Sequence, residues 1–238
     1  GFNPFLDYSS YYESYIEQPF IVFEKHNFLD NEIYKSLLDE VYSYEDFDYI
    51  FSGVGEKKKR SINGSNVNQV NDGVFKNFCT AVLDKSFYQW FKKTHLPFFE
   101  NKKLYFYTKK PLGVFMRLFR RVCNSLELPI TAYYTEIEYS SIKQGGYIPP
   151  HTDSLKKRLS FVFYLPTSGS KLTDEMKKQL GTVFWRPKGS ASDPLRRFDC
   201  ALLQGEERDK FYADYEPLHT SLYEPNKIAA FIKSDNSW

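Results

Sequence analysis

From Thr131 onward the chain breaks into short apolar or alternating runs: Thr131 to Tyr139, Leu159 to Leu165, Thr182 to Trp185, Phe211 to Tyr215 and Ile228 to Ile232. Turn chemistry separates them, at Gly145-Gly146, Pro149-Pro150, Gly169, Pro187-Lys188-Gly189 and Pro225-Asn226. Short strands at this spacing predict an antiparallel sandwich or barrel over residues 131–238. One insert, Leu172 to Leu180, reads as a short helix instead, with Thr173 as its cap and Gly181 past its end.

The first 130 residues have another rhythm. Residues 1–20 are rich in Tyr, Ser and Pro and read as an irregular arm, followed by a short apolar strand at Phe20 to Phe23. Asp30 stands where a helix N-cap would, ahead of Ile33, Leu37, Leu38 and Val41 at helical spacing. Phe75, Phe78, Val82, Trp90 and Phe91 predict a second helix within 74–93, and Leu112, Phe115, Met116, Phe119 and Val122 a third within 111–126. The Gly, Asn, Ser and Lys-rich stretch from Gly53 to Gly73, with Lys57-Lys58-Lys59-Arg60, reads as a mobile loop or loose hairpin. Helices first and strands second is an α+β order, here one domain with 1–130 as arm and helical support for the later strands.

Composition narrows the function classes. Lys+Arg 32 against Asp+Glu 30 leaves a net charge of +2, without the basic stripe of a dedicated nucleic-acid binder. Mean hydropathy is −0.53 and no apolar run approaches a membrane span, so no membrane partner is expected. Cys79, Cys123 and Cys200 are far apart and form neither a disulfide framework nor a zinc motif, which predicts a reducing, cytoplasmic setting. The opening residues show no signal peptide.

Chemistry concentrates in Tyr147-Ile148-Pro149-Pro150-His151-Thr152-Asp153. Residues two apart in an extended chain point to the same side, so His151 and Asp153 can offer an imidazole nitrogen and a carboxylate oxygen to one centre. That pair supplies two of the three ligands of a 2-His-1-carboxylate facial triad, which leaves positions on Fe(II) open. The competing reading is a surface turn in which Asp153 accepts a backbone hydrogen bond.

The ordered set around this pair resembles the prolyl 4-hydroxylase-like branch of the 2-oxoglutarate- and Fe(II)-dependent oxygenases. The matching pieces are Glu138-Tyr139, Gly145-Gly146-Tyr147, His151-Thr152-Asp153, Phe163-Tyr164-Leu165, Gly181 to Trp185 and Asn236-Ser237-Trp238. The resemblance covers about 131–238 and extends more weakly to the Pro19 to Val41 segment. It implies a double-stranded β-helix (a cupin-like jelly roll) with the helices packed outside. It further implies His151 and Asp153 as metal ligands, Tyr139 and Tyr164 as 2-oxoglutarate-binding hydroxyls, and Fe(II), 2-oxoglutarate and O₂ as cofactor and co-substrates. The reaction would hydroxylate an unactivated C–H bond in a peptide or small molecule, such as peptidyl or free proline. The carboxylate at Asp153 speaks for hydroxylation, because the family's halogenating relatives carry a small residue there.

The family's distal His ligand follows Ser-Trp, and its base for the far carboxylate lies about ten residues further on. The resemblance therefore implies a His directly after Trp238 and an Arg or Lys beyond it. His219 lies one strand too early for the distal position. Were it nevertheless a ligand, the chain would be a cupin-type metalloprotein without 2-oxoglutarate. Were the metal lost altogether, it would be a degenerate jelly-roll binding module. His26 and His95 read as structural, Arg158, Arg186 and Lys233 as strand-end charges or as bases that grip a carboxylate, and Trp185 as core or as lining of a substrate mouth.

Overall fold

The structure is a computed structural model of the 238-residue chain. It describes residues 14–16, 22–47, 49–53, 55–84, 87, 135–143, 145–151, 157, 159–166, 171–189 and 205–232. The predicted helix at 111–126 lies outside them, as does the predicted second helix beyond residue 87.

The central sheet is antiparallel, in the order β1 (Ser14–Ile16), β2 (Val22–Lys25), β9 (Ile228–Ile232), β6 (Leu159–Phe163). Its register sets Val22 opposite Phe231 and Glu24 opposite Ala229, and on the other side of β9 sets Phe161 opposite Ala230. Phe161 and Phe163 point to a helical layer, where Phe163 stacks on Phe78 and meets the edge of Phe28. The layer's first helix, α1 (Asn31–Tyr42), starts where expected because the Asp30 carboxylate accepts from the N–H groups of Glu32 and Ile33. Its buried residues Tyr34, Leu37, Leu38 and Val41 form a single stripe at helical spacing. The second, α2 (Val74–Leu83), is tied to it by the Glu40 carboxylate, which accepts from Phe75 N–H in the first turn of α2, where the helix has no carbonyl of its own to offer. That approach needs Gly73, since a Cβ there would collide with the Glu40 carboxylate.

The opposite face of the central sheet is covered by the hairpin of β7 (Thr182–Pro187) and β8 (Tyr215–Ser221). Phe184 of β7 packs with Val22, Leu218 and Phe231. The central sheet is thus buried from both sides. The chain order also nests: β7 and β8 pair with each other inside the span bounded by β6 and β9, which also pair. A short helix, α3 (Asp174–Gln179), precedes β7 and is capped by Thr173, whose hydroxyl accepts from Met176 N–H. A helix, α4 (Gly205–Asp214), leads directly into β8.

Several segments differ from expectation: Ser14–Ile16, inside the expected irregular arm, is a strand, and the helix expected within 74–93 ends at Leu83, where Asp84 turns extended. The Phe211 to Tyr215 run is the end of α4 and the first residue of β8, not a strand. Phe211 in the last turn of α4 and Tyr215, four residues on at the start of β8, stack at 4.5 Å, and Trp185 packs on Phe211. Five residues with apolar ends satisfy both periods, and the helix wins through its caps. Glu206 and Glu207 lie in its first turn, and the Lys188 ammonium donates to the terminal carbonyls of Tyr212 and Ala213. The lysine run takes the hairpin alternative and not the loop, and it is joined by a third strand: β3 (Tyr49–Gly53), β4 (Gly55–Ile62) and β5 (Ile137–Ile142) form a second antiparallel sheet. Glu138 draws in Lys57 and Lys59, Arg60 pairs with Asp46, and Lys58 lies over the Phe47 ring. Among the described residues no helix is long and apolar enough to cross a membrane.

Candidate functional site

His151 ends a loop built by its own sequence. Gly145 supplies a left-handed turn residue, with φ 82°, and Gly146 N–H closes that turn on Lys143 O. Pro149 is buried and Pro150 half-buried. The His151 Nδ1 lies 3.0 Å from the Pro149 carbonyl oxygen. A carbonyl only accepts, so Nδ1 carries the proton and donates. In the neutral ring Nε2 then keeps its lone pair, and it meets no partner among the described residues. An imidazole with one nitrogen tied to a backbone carbonyl and the other open is the form in which histidine takes a metal. On this observation His151 fits a ligand role. Asp153, the second expected ligand, lies outside the described residues, as do Arg158, Lys233 and Ser237-Trp238. Among the described residues no three His, Cys, Asp or Glu side chains converge as a metal cluster.

The two tyrosines are committed to different elements. Tyr139 of β5 packs on the helical side against Tyr44, Phe47 and Phe75, and its hydroxyl donates to Val41 O of α1 at 2.9 Å. Burial, with Tyr42 and Tyr44 nearby, holds its phenol above the ordinary value. Tyr164 follows Phe163 and so points to the hairpin side, where its buried hydroxyl reaches Ser221 O of β8 at 3.4 Å. Burial raises this phenol too, against hydrogen bonds from Ser221 and Thr182 that lower it, while the Glu24 carboxylate adds to the rise. The described residues do not bring the two hydroxyls to a common partner.

Around Tyr164 lies a group of charges that sequence reasoning missed. Glu24 of β2, buried between sheet and hairpin, lies 3.0 Å from His219 Nε2 and 3.3 Å from Lys227 Nζ. Lys227, also buried, continues to Glu224, which in turn meets His26 at 2.9 Å and Lys177 at 3.6 Å. Burial alone would push the Glu24 carboxyl up, but His219, Ser221 and Lys227 outweigh it and hold the group at about 2. The Glu24 and His219 atoms are close yet poorly aligned; Glu24 Oε1, His219 Nε2 and Ser221 Oγ each lack a well-formed hydrogen bond. The contact is one of proximity. It leaves His219 on β8, its ring stacked on Phe184 and its Nε2 spent on Glu24. Beside these charges Asn226, with φ 53°, accepts from Leu29 N–H and donates to Leu29 O. The signal for Glu24 was its parity: in an alternating strand it shares a side with the apolar Val22. Of the remaining candidates, Arg186 binds Glu216, Trp185 packs on α4 and His26 pairs with Glu224, while His95 lies outside the described residues.

No family model, curated protein or solved structure matches the chain.

Proposed function

We propose that the chain is a 2-oxoglutarate- and Fe(II)-dependent dioxygenase that hydroxylates an unactivated C–H bond, built on a jelly-roll core over residues 131–238. The observation that carries this reading is His151, with Nδ1 held by Pro149 O and Nε2 meeting no partner among the described residues, in a sequence that puts a carboxylate two residues later. The nested pairing of β6 with β9 around β7 with β8 supports the core, because a jelly roll is a long antiparallel hairpin wound on itself. In this reading His151 Nε2 and the Asp153 carboxylate would hold the metal, with the loop from Gly145 to Pro150 orienting the ring. Fe(II) with 2-oxoglutarate and O₂ would, when bound, supply the oxidising chemistry. The substrate is a peptide or small molecule such as peptidyl or free proline. Scattered cysteines, of which Cys79 is free, buried and pushed up to about 12 by that burial, support a cytoplasmic setting.

The test is succinate formed from 2-oxoglutarate by the full-length native polypeptide with Fe(II) and O₂. His151→Ala should abolish it, and turnover retained in that variant would refute the assignment.

A specific observation favours a second reading, a jelly-roll binding module without metal. Tyr139 is spent on Val41 O, and Tyr164 shares its chamber with the anionic Glu24, which repels a dicarboxylate. Binding of 2-oxoglutarate measured by equilibrium dialysis separates the two, since the module should bind none.

A further inference from the structure

We infer that the Pro149 carbonyl, held in place by Pro150, is a positioning group of the candidate site: it fixes the proton of the neutral His151 ring on Nδ1 and dedicates Nε2 to an incoming metal ion. The metal half of this inference rests on the oxygenase reading; the placement of the proton does not.

The argument is local. A neutral imidazole in water exchanges between two tautomers, and either nitrogen can meet a metal. Here a carbonyl two residues back in the chain stands 3.0 Å from Nδ1 and can only accept. What keeps it there is the dipeptide. Pro150 has φ fixed near −65° by its ring, and it bars the residue before it from helical backbone, so Pro149 is extended. Pro149 is also buried, which anchors the carbonyl's own residue against the body of the protein. A loop of ordinary residues would have to order itself around the metal; this one has the ring aimed beforehand. A carbonyl acceptor on the second nitrogen also raises the basicity of the first.

The experiment reads the two ring nitrogens of His151 by long-range ¹⁵N–¹H correlation in the labelled full chain, at a pH where the ring is neutral, before and after adding Zn(II). The proton should sit on Nδ1, and Zn(II) should shift Nε2. In Pro150→Ala the ring should become a mixture of tautomers and Zn(II) affinity should fall about tenfold, the lower end for loss of an outer partner. Pro149→Ala keeps both the carbonyl and the restraint from Pro150, so its ring should stay as in the wild type. A merely structural role would follow burial and make Pro149 the more sensitive position. A wild-type proton on Nε2 overturns the inference, and so does a Pro150→Ala ring that keeps its single tautomer and its Zn(II) affinity. If Pro150→Ala does not fold, the wild-type spectrum and the Pro149→Ala comparison still decide. A wild-type ring protonated on Nδ1 that takes no Zn(II) overturns the metal half together with the oxygenase reading, while the placement of the proton stands.

Discussion

A carboxylate inside a protein is tolerated only where something holds its charge, and at Glu24 that something is Lys227 with His219 and Ser221. The consequence is a pH dependence of known sign. Because the folded value is depressed from 4.5 to about 2, the charged form stabilises the fold at neutral pH. That contribution is complete above the unfolded value and is lost as pH falls through 4.5 toward 2. Its size is on the order of 3 kcal/mol. Glu24→Gln should cost about 3 to 5 kcal/mol at pH 7, since it leaves Lys227 buried without its nearest partner. Denaturant titrations from pH 7 to pH 2 should show the gap between variant and wild type closing; a gap independent of pH would contradict the pairing. Asn226 makes a second prediction. Asn226→Ala leaves Leu29 N–H and C=O unpaired in the core and puts alanine at positive φ, so it should cost about 3 kcal/mol in the same titration. None of these pairings can be read from sequence, since Asn226 and Leu29 are 197 residues apart. What the sequence does show is the anomaly: a charged residue at an inward position of β2.

At the scale of elements, legibility follows how local the determining chemistry is. Helix α1 was visible because cap and stripe lie within twelve consecutive positions, so Asp30→Ala should lower stability by about 1 kcal/mol in thermal unfolding. Helix α3 was visible for the same reason, through Thr173. Helix α4 was not, because its decisive contacts, Lys188 on its last carbonyls and Trp185 on Phe211, come from another element. The lysine run hid β4 in the same way, since its charges are neutralised from β5 and from Asp46. Strand β9 is the most constrained element. It lies between β2 and β6, with Ala229 beside Glu24 and Ala230 between Phe23 and Phe161, both alanines fully buried. Small side chains there let layers close on both faces. Ala230→Leu should therefore destabilise by about 1 to 3 kcal/mol through overpacking, and an unchanged unfolding midpoint would mean that the helical face is looser than described.

Across the whole molecule, two layers are fastened to one sheet by contacts between distant parts of the chain. Phe184 closes the hairpin side, Phe163 and Phe78 close the helical side, and the turn at Asn226 joins the end of β8 to the approach of α1. Strands β6, β7 and β9 are the part of this plan that the sequence carried, at Leu159 to Leu165, Thr182 to Trp185 and Ile228 to Ile232, because Gly or Pro marks the turns beside them. The partition of side chains between faces was only half legible. A resemblance places Tyr139 and Tyr164 in one site, whereas strand parity and helix packing send their hydroxyls to Val41 and Ser221. His151 is the reverse case: its loop is written in the sequence, and the orientation of its ring follows from that loop. The central claim, that this ring binds the metal of a dioxygenase, is tested most directly by succinate production from 2-oxoglutarate in the full-length native polypeptide, measured with and without Fe(II) and in His151→Ala. Fe(II)-dependent succinate in the wild type and none in the variant is the result this account predicts; succinate that survives the loss of His151, or none in an Fe(II)-loaded wild type, would contradict it.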